Sequence, residues 1–598
     1  MNLPKEIYFP LNMGRDKKDN SKTRVTAPFN YSISLRDWLI ENGFVPDLEL
    51  EGPNYVYVQA EGTPQQNAVE LQEAYDLAKL RVASEGAQTV LVGPGDFDFA
   101  TDFLADADQV SIASLVAAPA VNFTGVGTIN VTGQFCGFLG ITTGSKPFIV
   151  GDNVGAGFIQ CEGGDESFGF GVNSVGYFEK CTGGNNSFGA DGAASGQYVD
   201  CEAGDESFGW NGDADGYFLR CNAGVESFAT YGEASGTFID CNGNSYSFAS
   251  FGDATGNFFR CQGSNNSFGS EGNADGYFVD CTSSIDSFGS GAFSTATGTF
   301  INCSAGNGSF GSNGGTASGF FMNCVASNNS FGYAGNASGT FKACKADNNS
   351  FGGVASGSFE NCIAGDESFG FEDDATGTFV NCTAGDYSFG TGAGADASGV
   401  FNGCTAGTYS FGTGGSASGI FTNCTAGERS FAYGSTASGS FYNCNSTGDF
   451  SFGCLGTASG VFQNCSARES GFGGYGSATG TFMNCSSTVN GFGGASGTAT
   501  GFFRSCHGGA SSFGASTGFG AEFHWCSGDF NSFGPSTLNL GYYYGCTGGN
   551  QSFGGNGGGL SAVATLTYCR LDAGTFDTAG GAVIRLCVDG TNTEINAN

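Results

Sequence analysis

The chain has 598 residues, rich in Gly (106), Phe (59) and Cys (24) and poor in Pro (10), Met (4), Trp (3) and His (2). Its 56 Asp and Glu outnumber its 20 Lys and Arg, for a net charge of -36, the wrong sign for a nucleic-acid partner. Scarce proline and aperiodic glycine exclude collagen, 40% hydrophobic content opposes disorder, and no apolar run approaches the ~18 residues of a membrane span.

In chain order, Met1-Asn2-Leu3-Pro4-Lys5 is followed by no apolar stretch, so no secretory signal is expected and the chain is read as made and kept in a cytoplasm. Residues 1–50 hold seven of the basic residues, among them Arg15, Lys17, Lys18, Lys22 and Arg24. They read as a separate small module, with a loop from Arg15 to Thr26 and a short helix from Ser34 through Ile40, stopped at Gly43. Thr63-Pro64-Gln65-Gln66 is a capping box with Pro at the first helical position. Leu71, Ala74, Tyr75, Ala78 and Val82 recur on one face, which predicts an amphipathic helix over 64–82 covering the open end of a core. Strands follow at Thr89–Val92 and Val110–Leu115, with Gly93-Pro94-Gly95, Phe97 and Phe99 after the first.

From residue 161 the sequence repeats. Cysteines fall at 161, 181, 201, 221, 241, 261 and 281, then at spacings of 18 to 22 from 303 to 546, and the row extends to Cys569 and Cys587. Cys136 and Cys454 stand outside it. Three residues before nearly every Cys is an aromatic, such as Phe158, Phe178 or Tyr198. About seven residues after most of them is the Phe of a Ser-Phe-Gly/Ala triplet, such as Phe168, Phe188 or Phe208. There are 18 such triplets and two Gly-Phe-Gly variants, at Phe472 and Phe492. A small-residue segment like Ala194-Ser195-Gly196 lies between. Helical repeats need ~30 residues or more and propeller blades ~40. Gly, Ser, Thr and Phe are turn and strand residues. Three short strands and tight turns per unit make one coil of a parallel β-solenoid, each inward residue stacking on its equivalent about 4.8 Å away. About twenty coils at that spacing predict a rod on the order of 100 Å long. The rows become ladders of Cys, Phe and Ala. Asn just before Cys (Asn302, Asn323, Asn361 and others) is expected to cap the bend through an internal side-chain ladder. The residue before that Asn varies and is expected to face solvent. One coil cannot offset its own ordering cost, so neighbours and end caps are required.

The residue types that carry chemistry fit this frame. One Cys per coil, in phase with Phe, reads as a ladder of reduced, buried thiols rather than a disulfide framework, and no close Cys pair suits zinc. Asp165-Glu166, Asp205-Glu206 and Asp366-Glu367 share a turn with Asn185-Asn186, Asn265-Asn266 and Asn348-Asn349. Asp and Asn interchange there as Asx-turn formers, an exchange that catalysis would not tolerate. Glu372-Asp373-Asp374 is a lone acidic cluster that could hold calcium or serve a glycosidase pair. His507 and His524 read as surface residues rather than an acid–base pair. No residue is assigned a catalytic, cofactor-binding or metal role, and no cofactor is expected.

The stretch from Ala60-Glu61-Gly62-Thr63-Pro64 through Ala74-Tyr75 to Val90-Leu91-Val92-Gly93-Pro94-Gly95-Asp96-Phe97 resembles the N-terminal cap of pectate-lyase-like right-handed β-helices, as found in bacteriophage tail spikes and fibres. The resemblance covers about 40 residues, and the handedness rests on it alone. It implies an all-β fold: a single-stranded right-handed parallel β-helix with a helical cap and a small N-terminal attachment module. The expected organisation is 1–60 virion attachment, 61–135 helix cap and first irregular coils, 136–555 regular β-helix, and 556–598 C-terminal cap or tip.

The function so implied is a structural, non-enzymatic virion protein, a tail fibre or spike, assembled in the host cytoplasm and located in the virion. Implied partners are the chain itself as a homotrimer, other tail or capsid proteins met through the N-terminus, and a host surface glycan or protein. Nucleic acid and membrane insertion are not among them. Near-uniform coils depart from enzymatic tail spikes, whose long insertions build a saccharide cleft. The alternatives are a polysaccharide-degrading tail spike and a cell-surface adhesin or ice-binding solenoid. An adhesin would usually carry a secretion signal and an ice-binding face a flat Thr ladder.

Overall fold

The computed structural model describes residues 51–52, 54–116, 121–125, 127–145, 147–152, 154–494, 496–514, 516–517, 520–533, 540–553, 560, 564–576 and 581–597. The helix expected at Ser34 and the basic module up to residue 50 lie outside the described residues. The chain divides into two compact units, one ending at Ser287 and one beginning at Phe288. Each is a parallel β-solenoid.

The first unit opens with β1 (Tyr55–Val58), α1 (Pro64–Glu85), β2 (Gln88–Val92) and β3 (Val110–Ser114). The capping box forms as read: Thr63 Oγ1 accepts from Gln66 N, and Gln66 Oε1 accepts from Thr63 N at 3.0 Å. The predicted face of α1 is buried at Leu71, Ala74, Tyr75 and Ala78, while Val82 is only half-buried. The Tyr75 hydroxyl accepts from Ala107 N at 2.8 Å, and Lys79 pairs with Asp106, so the helix is fastened to the chain beneath it. β1 pairs parallel with β2, and β2 with β3, which starts the stack.

Each coil is then built the same way. A three-residue strand such as Tyr177–Glu179 pairs in parallel with the strands 20 residues before and after it. The second and third β segments shrink to one or two residues, such as the bridges Thr182↔Glu202 and Ser174↔Ala194. The short elements follow from composition, because Gly and Ser between the anchors favour turns over extended runs.

The anchors all point inward. Tyr198, Phe218, Phe238, Cys201, Cys221, Phe208, Phe228, Ala214 and Ala234 are buried, as are their equivalents in the second unit. In the first unit Phe218 stacks on Phe238 at 4.7 Å and Phe228 on Phe248 at 4.7 Å. The two stacks meet edge to face, Phe228 against Phe238 at 5.9 Å and 88°. The second unit repeats this with Phe401 on Phe421 at 4.7 Å, Phe411 on Phe431 at 4.9 Å, and 88° between Phe411 and Phe421. Rings within these two stacks thus meet both of the arrangements that aromatic quadrupoles favour, edge-to-face contacts adding about 0.5–1.5 kcal/mol beyond burial.

The triplet phenylalanines explain why the motif is Ser-Phe-Gly. Phe208 has φ 52, with Glu206 two residues before it at 56 and Gly209 directly after it at 76. A left-handed backbone costs a non-glycine residue ~1–2 kcal/mol, and burial of the whole ring offsets it. The serine is a ladder of its own: buried Ser207 Oγ accepts from Ser187 N at 3.2 Å, and Ser388 Oγ from Ser368 N at 3.2 Å. Sequence reasoning saw the triplet but not this hydroxyl row.

The residue before each Cys is left-handed as well, from Gln160 at φ 51 to Leu586 at φ 51. This conformation explains the frequent Asn, which tolerates it better than other non-glycine residues. The Asn side chains do form a ladder: Asn443 Nδ2 donates to Asn423 Oδ1 at 3.1 Å and Asn464 Nδ2 to Asn443 Oδ1 at 3.0 Å. That ladder is exposed, not internal as expected, because left-handed φ turns the side chain outward at the bend. In the first unit the same row reads Lys180, Asp200, Arg220, Asp240, Arg260, Asp280, alternating in sign. Arg220 binds Asp200 at 2.5 and 2.9 Å, and Arg260 binds Asp240 at 2.6 and 2.8 Å. Like charges one coil apart would repel, and alternation turns that spacing into paired forks.

The parallel stacking runs past the consensus. β4 (Phe502–Arg504), β5 (Glu522–His524), β6 (Tyr542–Tyr544), β7 (Thr565–Thr567) and β8 (Val583–Val588) pair in turn, with Leu566 and Ile584 taking the inward aromatic position. β9 (Glu594–Ala597) then lies antiparallel on β8.

Candidate functional site

The aspartates singled out in the turn are occupied by the fold. Asp165 Oδ1 accepts from Asn185 N at 2.8 Å, Asn185 Oδ1 from Asp205 N at 2.9 Å, and Asp205 Oδ1 from Val225 N at 2.7 Å. Asn348, Asp366 and Asp386 continue the pattern, with Asp366 Oδ1 accepting from Asp386 N at 2.8 Å. The expected Asx turn is thus a bond between coils rather than within one. Asp and Asn interchange because each offers the same oxygen to the next coil's backbone. The glycine before the next Asx is part of the device: a Cβ on Gly385 would lie 2.0 Å from Asp366 Oδ1.

The Glu372-Asp373-Asp374 cluster is drawn into a second such row. Asp374 Oδ1 accepts from Asp396 N at 2.8 Å, and Asp396 Oδ1 from Ser416 N at 2.7 Å. His507 and His524 are not brought together. His507 Nδ1 lies 2.9 Å from Ser527 Oγ after the Cys row, whereas His524 stands on β5 between Arg504 and Tyr544, with Nε2 3.6 Å from Glu522 Oε2. Among the described residues no group of three or more His, Cys, Asp or Glu side chains is placed to hold a metal ion. No helix among them is long and apolar enough to cross a membrane.

All 24 cysteines are buried free thiols. Most of the row donates to the carbonyl of the aromatic one coil earlier, as Cys424 Sγ does to Phe401 O at 3.5 Å and Cys506 Sγ to Phe482 O at 3.4 Å. Burial pushes the Cys136, Cys454 and Cys485 thiols up to about 12, and raises Cys324 and Cys344 as well. Such thiols are neither nucleophiles nor ligands at neutral pH.

One stretch of surface departs from the repeat. On the outer face of β4–β8, one row in register reads Phe502, Glu522, Tyr542, Thr565, Val583, and the next reads Arg504, His524, Tyr544, Thr567, Arg585. The step from a pair of tyrosines to a pair of threonines leaves a notch of about 180 Å³, lined by His524, Tyr542, Tyr544, Thr565 and Thr567. Trp525 and Tyr568 flank it edge to face with Tyr544, at 5.2 and 5.5 Å. Trp525 lies over Gly545, where a Cβ would come within 2.3 Å of the indole. Trp525 is 58% exposed and Tyr568 51%. Both occupy the left-handed position that Asn holds elsewhere, each at φ 55. Reading the residue before each Cys down its column would have flagged both. Along the chain Trp525 stands out only as the neighbour of His524.

No protein-family model, no curated protein and no solved structure matches the chain.

Proposed function

We propose that the chain is a structural, non-enzymatic component of a bacteriophage virion, a tail fibre or tail spike. In this reading it assembles in the host cytoplasm as a homotrimer, joins other tail or capsid proteins through residues 1–60, and presents its coils to the host surface. The observation that carries the reading is the use made of the polar groups: surface Asp and Asn in coil after coil are inter-coil acceptors, which suits a scaffold selected for stiffness. The helix-capped first coil, with the residues that resemble phage β-helix caps, supports it further.

The test has two arms. Deleting residues 1–50, which leaves β1 in place, gives a soluble protein that no longer enters particles, measured by mass spectrometry of purified virions. Entry at wild-type levels overturns the attachment role, and absence of the full chain from particles overturns the virion assignment. Glycan cleavage by the purified chain would move the assignment to the polysaccharide-degrading spike.

A further inference from the structure

We infer that the notch on β5–β7 is a saccharide-binding site that takes one uncharged sugar ring of a longer glycan. Three independent observations meet there. The first is strain without burial. A bulky aromatic at positive φ is strained, and an exposed one gains little burial to offset the cost. The inward phenylalanines recover the cost through burial, whereas Trp525 and Tyr568 stand at φ 55 and remain mostly exposed. Down the row before each Cys from 160 to 586, Trp525 and Tyr568 are the two aromatics, where Gln, Lys, Arg, Asp, Asn, Ala, Gly, Ser or Leu stands in the other coils, and both converge on Tyr544.

The second is the mixture of surfaces. Tyr542, Tyr544, Trp525 and Tyr568 offer ring faces and edges, while the tyrosine hydroxyls, Thr565, Thr567 and the His524 imidazole offer donors and acceptors within the same few ångströms. A pyranose has that dual character, an apolar C–H face rimmed by hydroxyls. The third is size and charge. Drug-sized ligands need pockets of about 300–1,000 Å³. The notch of about 180 Å³ suits a single ring, the rest of a glycan lying along the open face. Glu522 beside His524, on a chain of net charge -36, disfavours an anionic sugar.

The inference deepens the host-contact part of the proposed function and rests on that reading for its biological role. The site itself is tested on the purified full chain. The probe is an immobilised panel of neutral hexose, deoxyhexose, N-acetylhexosamine, uronic-acid and sialic-acid oligosaccharides, with tryptophan fluorescence as the solution readout. At least one neutral class binds, and Tyr544→Ala weakens that binding tenfold or more. Trp525→Asn and Tyr568→Asn restore the residue type that the bend accepts, so both variants fold at least as stably as the parent yet bind tenfold or more weakly, and Trp525→Asn abolishes the fluorescence response. Binding to no class, binding to anionic classes alone, or undiminished binding by the Asn variants overturns the inference. A chain absent from particles that still binds sugar defeats the virion reading alone, and a virion chain that binds none defeats this inference alone.

Discussion

The left-handed residue before each Cys decides much of the local chemistry. Asn suits it twice, in backbone and in side-chain ladder, and Ala343 suits it in neither. Ala343 has φ 52 and sits between Asn323 and Asn361 in its row. Ala343→Asn relieves part of a strain worth ~1–2 kcal/mol and adds a ladder member, so it raises stability by about 1 kcal/mol, read as a shift in denaturant midpoint at unchanged slope. The inter-coil acceptors give a second test. Asp366→Asn keeps the oxygen that Asp386 N requires and changes stability by less than about 0.5 kcal/mol, whereas Asp366→Ala hands that exposed donor to water and costs about 0.5–1.5 kcal/mol. Equal losses from both changes would show that the charge, not the oxygen, matters at this position.

A coil is the working element, and much of it was legible in the sequence. The Phe and Cys rows recur in phase, so their inward direction followed from spacing alone, and Thr63-Pro64-Gln65-Gln66 announced α1 by its own chemistry. What escaped had no signal along the chain. The Asx oxygens, the serine hydroxyls and the Arg220–Asp200 forks join residues a coil apart, and they emerge only when the sequence is read down columns. The exposed aromatic notch was missed for the same reason, since Trp525 looks unremarkable beside His524 but anomalous beneath Asn484 and Ser505. Because each coil contacts only its neighbours, coils are interchangeable. Deleting 405–424 joins Cys404 to Thr425-Ala426-Gly427, which repeats the removed Thr405-Ala406-Gly407. The product is folded and soluble, its melting midpoint moved by about 2–4 °C, the effect of roughly 1 kcal/mol in a large domain. Deleting 405–414 breaks the phase and gives insoluble protein.

For the molecule as a whole, the thiols whose protons burial holds in place set a limit on alkaline stability. Native Cys136, Cys454 and Cys485 hold their protons up to about 12, while the unfolded chain loses them near the ordinary value of ~8.5. Between those values the folded state binds more protons than the unfolded state, so stability falls as pH rises. The full contribution is present below pH ~8.5 and declines above it by about 1.4 kcal/mol per thiol for each pH unit. Thermal unfolding from pH 7 to 10.5 shows a flat midpoint followed by a steep fall, and Cys485→Ala lessens the slope. Thiol reagents at pH 8 label few cysteines until denaturant is added, and then label all 24.

The Asx oxygens also carry an arrow. Asp165 serves a nitrogen twenty residues later, Asp366 one twenty residues later, and sulfurs such as that of Cys424 reach back to a carbonyl made before them. A coil leaving the ribosome therefore meets a finished surface whose acceptors already point at it, and the side left open is always the newest. The closed side was sealed by α1 at the outset. Synthesis and folding can thus advance in the same direction at the same pace, each turn serving as the mould for its successor.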